Sequence, residues 1–67
     1  MDIKTKFGQK AKKIRLSRKM SQGGLAKKLG VGAAYVSKIE RGIQNLSLTG
    51  VAKLADALGV SPDKLLK

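Results

Sequence analysis

Fifteen lysines and arginines against four carboxylates leave this 67-residue chain with one kind of chemistry in quantity, the binding of anions. The formal net charge is +11 at pH 7, and it is unevenly placed: residues 1–41 carry +10 and residues 42–67 only +1. That asymmetry favours a polyanionic partner held by the first part of the chain. The alternative is a solvated face that keeps the chain soluble. Other chemistries are poorly supplied. There is no histidine and no cysteine, so disulfides and the usual zinc-ligand sets are excluded. The carboxylates Asp2, Glu40, Asp56 and Asp63 make no pair placed for acid–base work. No enzyme activity, cofactor, metal or small-molecule substrate is expected.

Membrane roles fare no better. No apolar run approaches the ~18 residues needed to span a bilayer. The opening "MDIKTKFGQK" has no apolar stretch before a cleavage site, so a signal peptide is not expected. A basic amphipathic protein lying on a membrane surface is disfavoured because the apolar positions are spread over short, separately capped segments. A chain without cysteine fits a reducing cytosol, and a cytoplasmic location is the expectation.

The elements that must position the basic side chains read as helices. Ile3, Phe7, Ala11 and Ile14 recur at helical spacing and predict a first helix ending near Lys19. Ser21 is a good cap for a second helix from Gln22, with Leu25, Ala26 and Leu29 inward, and Gly30 follows where a left-handed residue is expected. A third helix over residues 33–41 turns Tyr35, Val36 and Ile39 to the core and stops at Gly42. Ser47 caps a fourth helix carrying Leu48, Val51, Leu54, Ala55 and Leu58 on one face, closed by Gly59. "SPDKLL" predicts a short fifth helix capped by Ser61, with Pro62 at its first position. Nothing alternates with period two, so the fold is all-α with five helices in one domain, residues 1–67.

The second and third helices are joined by only residues 30–32. So tight a joint matches the helix-turn-helix, whose second helix enters the major groove of DNA. Such a joint makes demands on residue type. Ala26 must be small where the third helix crosses, and Gly30 must tolerate a left-handed turn. Leu25, Leu29, Val31, Val36 and Ile39 must be apolar to form the shared core. Each demand is met.

At this point "MSQGGLAKKLGV…YVSKIERG" followed by "NLSLTGVAKLADALGVSPDKLL" resembles the phage-repressor and Xre-type helix-turn-helix family. Within it, "KFGQKAKKIR", "YVSKIERG" and "QNLSL" are most similar to the controller proteins of restriction–modification systems. The resemblance covers residues 7–66. It implies a compact lambda-repressor-like domain that binds palindromic operators in double-stranded DNA as a homodimer and controls transcription. It also implies roles for residues. Gln22 would lie beside a backbone phosphate, and Gln44 and Asn45 would grip another. Ala33, Ala34, Tyr35, Ser37, Lys38 and Arg41 would lie along or just beyond the reading helix. Arg15 and Glu40 would form an internal ion pair. Val60, Leu65 and Leu66, on the last two helices, would meet the second copy.

The chain departs from the family where contacts should be. Relatives usually carry polar or charged side chains at the two positions after Gly32, but here they are Ala33 and Ala34. Alanine can touch a thymine methyl yet cannot form a bidentate pair with a base, worth ~1–3 kcal/mol of discrimination. Gly23, Gly24 and Gly50 fall inside expected helices, at ~1 kcal/mol each relative to alanine. Tyr35 is open to two readings, a phosphate contact or a half-buried core edge with its hydroxyl in water. Two functions follow. One is a sequence-specific DNA-binding regulator. The other is a helix-turn-helix scaffold with a stripped reading surface and only non-specific, charge-driven affinity for nucleic acid.

Overall fold

A computed structural model, described here for residues 2–67, contains five helices: α1 (Ile3–Ser17), α2 (Gln22–Leu29), α3 (Ala33–Glu40), α4 (Leu48–Leu58) and α5 (Asp63–Leu66). No strand occurs among the described residues. Side-chain oxygens start three of the helices by accepting otherwise orphaned backbone N–H groups. Asp2 accepts from Thr5 at 2.8 Å, Ser21 from Gly24 at 2.9 Å and Ser47 from Gly50 at 3.1 Å. Gly32 starts α3 with no such bond, and neither does any side chain start α5. The expected Ser61 cap is therefore absent, because Pro62 occupies the cap position itself.

The four longer helices all close in the same way. A left-handed residue follows the helix, and the next N–H reaches back five residues to a carbonyl. Val31 reaches Ala26, Ile43 reaches Lys38 and Val60 reaches Ala55, all at 3.0–3.1 Å. Gly30, Gly42 and Gly59 supply the left-handed turns, with φ of 74–77°. α1 instead uses Lys19, at φ 58°, with Met20 bonded to Arg15 at 3.1 Å. That turn ends α1 at Ser17, earlier than the sequence led us to expect.

The core is aliphatic. Leu25, Val36, Leu54, Leu58 and Leu65 are its fully buried large side chains, joined by Ala11, Ala26, Ile39, Val51 and Ala55. Each fully buried aliphatic side chain contributes ~1.5–3 kcal/mol. α2 crosses α3 over the small Ala26, which is 2% exposed. α1 lies against the end of α3 at Gly8, where a Cβ would fall 2.7 Å from the Glu40 carbonyl oxygen. Three expected inward positions face out instead: Ile3, Leu48 and Val31 are all exposed. Ile3 and Leu48 are each the first residue of a helix, at the margin of the core.

One dimer-contact expectation needs correction. Leu65 is 1% exposed and belongs to the core, so it has no surface left for a second copy. Val60 is half-buried against the same core. Leu66 is exposed, but it lines a groove shared with α1.

Candidate nucleic-acid interface

α3 divides cleanly by burial. Val36, Ile39 and Glu40 are buried, Tyr35 and Ser37 half-buried, and Ala33, Ala34 and Lys38 exposed, as is Arg41 just beyond. Positions 33, 34, 37, 38 and 41 recur at the spacing of one helical face. The helix therefore presents to solvent a leading turn with almost no side chain and a trailing part with two cations. After it in the chain come Gln44 and Asn45, two of the residues expected to touch phosphate. Gln44 is half-buried and donates from Nε2 to the Asn45 carbonyl at 3.2 Å, while Asn45 is exposed.

Asn45 has a partner that the sequence did not suggest. Its Oδ1 accepts from Lys4 Nζ at 2.7 Å, which brings a cation from the first turn of α1 to the loop after α3. The two residues are 41 positions apart, and no local pattern links them. Gly42 explains how the loop comes so near. A Cβ on it would lie 2.8 Å from the Thr5 Cα, so the turn packs backbone to backbone on α1.

Arg15 and Glu40 hold the site from below. Arg15 Nε donates to Glu40 Oε2 at 2.6 Å and Nη2 to Oε1 at 3.1 Å, with both side chains under a tenth exposed. Nη1 donates to the Met20 carbonyl at 2.7 Å, ahead of α2. Gln22, half-buried at the start of α2, donates from Nε2 to Glu40 Oε1 at 3.1 Å. One carboxylate thus joins the end of α1, the start of α2 and the end of α3. It also fixes one face of the Gln22 amide. The forked guanidinium is well suited to this bidentate grip.

The pair takes the only carboxylate on α3 out of the exposed surface. Asp2, Asp56 and Asp63 are the exposed acids, and Asp2 caps α1, its carboxyl held below the usual range chiefly by the Thr5 backbone N–H. The side chains that α3 and Arg41 expose are cationic or neutral. Among the described residues, no three His, Cys, Asp or Glu side chains gather as a metal site, and no helix is long and apolar enough to cross a membrane.

A helix-turn-helix family model matches residues 12–65. The control protein C.BamHI of Bacillus amyloliquefaciens is 47% identical over 66 residues, covering 97% of this chain and 82% of that protein. The control protein C.MunI of a Mycoplasma species is 37% identical over 65 residues, covering 96% and 88%. The crystal structure of the restriction–modification controller protein C.AhdI from Aeromonas hydrophila superposes with a TM-score of 0.86 at 41% identity, covering 91% of this chain and 88% of that one. With its all-helical fold and its α2–α3 joint, the chain belongs to the Xre-type helix-turn-helix family of DNA-binding transcription regulators and is similar to the controller proteins of restriction–modification systems.

Proposed function

We propose that this protein is a cytoplasmic regulator that docks α3 in the major groove of a palindromic operator, as a homodimer, with weak direct discrimination between sequences. The observation that carries this reading is the divided outer face of α3. Ala33 and Ala34 are exposed and carry no hydrogen-bonding group, while Lys38 and Arg41 are exposed and cationic. Gln22, Gln44 and Asn45 fix register through phosphates, which position a protein without reading sequence. Ser37 and Tyr35 reach the groove wall from the half-buried side of α3. Base preference then rests on Lys38, Arg41 and the deformability of the duplex.

The two-fold contact lies at the α4–α5 turn around Val60, since Leu65 is core. It sets the two α3 helices about one DNA turn apart, ~34 Å. Sedimentation with and without DNA tests it, and a monomer at high micromolar concentration in both would refute it.

Selection from a random DNA pool, followed by competition between the selected and a random duplex, tests the reading as a whole. The expected preference is about ten- to a hundredfold, below the ~10³ or more usual for specific regulators. Ala33→Arg should raise preference for guanine at one position of each half-site, through its O6 and N7 edges. A parent that already discriminates above about 10³-fold would overturn the weak-reading proposal.

A further inference from the structure

A depression outside the α3 face lies between α1 and α5, with a volume of about 570 Å³. Phe7 and Leu65 form its floor, and the exposed Ile3 and Leu66 stand at its lip. Lys6, Lys10 and Lys13, one turn apart along α1, border it, and Lys67 borders the other side. α5 is only four residues long and does not cover the α1 side chains. The result is an apolar trough edged by four ammonium groups.

We propose that this groove docks an acidic amphipathic segment of a partner protein, with apolar side chains spaced three or four residues apart and carboxylates flanking them. Charge selects the occupant. A second copy of this chain does not fit: it carries +11, and its only exposed acids are the scattered Asp2, Asp56 and Asp63. Self-pairing would set one lysine edge against another. Duplex DNA matches the lysines but offers its charged backbone to the aliphatic floor. A helix with leucines on one stripe and glutamates beside it satisfies both, burying the apolar lip and pairing the lysines.

The groove is also separate from the DNA-facing side. On α1, positions 8, 11 and 15 are buried, Gly8 against α3 and Arg15 against Glu40, whereas 3, 6, 7, 10 and 13 line the groove. At ~100° per residue these two sets are roughly 130° apart around the helix. Docking at the groove therefore leaves α3 free for DNA.

The test uses a fluorescent 14-residue peptide of leucine at helical a and d spacing with glutamate elsewhere, measured by anisotropy and by amide shifts in labelled protein. We expect shifts at Ile3, Phe7, Lys10 and Leu66 with α3 unmoved, and binding that persists in the presence of saturating duplex DNA. Ile3→Asp places a carboxylate at the lip, at an exposed first-turn position where an acid suits the helix. It should weaken the peptide at least tenfold, as should Lys10→Glu. Equal binding of a peptide with serine for leucine would overturn the proposal, since it would reduce the effect to polyanion attraction. So would displacement by DNA, shifts centred on α3, or unchanged affinity in both variants. A failure of DNA binding itself, read in the duplex-only arm, bears on the regulator reading and not on the groove.

Discussion

Replacing Glu40 by alanine leaves Arg15 where it is and takes away its partner. The guanidinium loses the acceptors of Nε and Nη2 and keeps only the Met20 carbonyl, while Gln22 loses its own acceptor. The arginine is 7% exposed, so water cannot replace what was lost without the helices parting. Removing one partner of such a pair costs about 3–5 kcal/mol. A chain of 67 residues has a total stability of roughly 3–10 kcal/mol. The variant should therefore lose much of its stability, and a weakly stable parent would not survive the change. Urea unfolding followed by helical circular dichroism measures this. With a slope of about 1 kcal/mol per molar, the midpoint should fall by ~3 M. The double replacement Arg15→Met with Glu40→Met should lose far less than the two single changes together, because no charge is then left buried. A Glu40→Ala midpoint within about 0.5 M of the parent would refute the reasoning, and additive single changes would show that the two side chains are not coupled.

Lys19→Gly should stabilise the protein by ~1 kcal/mol, since the position is left-handed in the fold, and a lower urea midpoint would contradict this. Gly8→Ala should cost more than ~2 kcal/mol by forcing α1 off the α3 backbone. Gly23→Ala meets only Ser21 Oγ at 3.9 Å and should gain ~1 kcal/mol, so equal and opposite results for the two glycines would reverse the assignment. Affinity for DNA should fall with salt at a log–log slope near −5 if about six phosphates are neutralised, and a slope shallower than about −2 would exclude the basic half as the binding face. The Asp2 cap is held in its charged form by the Thr5 N–H, so its support of α1 is complete above the ordinary aspartate range and is lost as pH falls through its lower folded value. A titration of the Thr5 amide shift with a midpoint at or above that ordinary range would contradict it.

Helix boundaries were legible wherever a residue type does something that only a few types do. Ser21 and Ser47 accept a helix-start N–H, and glycines at 30, 42 and 59 take the left-handed turn, so those ends are where the sequence put them. The end of α1 was not legible, because a lysine takes the turn that glycine takes elsewhere. Periodicity indicated which side of each helix is apolar but not what lies opposite. Leu48 and Ile3 sit on the right stripe and still meet solvent. The Arg15–Glu40 pair spans 25 residues and the Lys4–Asn45 bond 41, so neither has a local signature. The first came only from family resemblance, and the second from the fold alone. Gly8 did carry a signal. A glycine in the middle of α1 costs helix stability, and the close approach of α3 is what requires it.

The placement of Tyr35 has an optical consequence. The chain has no tryptophan and one tyrosine, so nearly all its near-ultraviolet absorption and emission arises from a single ring. That ring is half-buried on α3, against the core on one side and beside the cationic face on the other. Light emitted by the unlabelled protein is thus a report from one turn of α3. Quenching, lifetime and polarisation would register a duplex arriving at that turn, while an occupant of the α1–α5 groove would leave them unchanged.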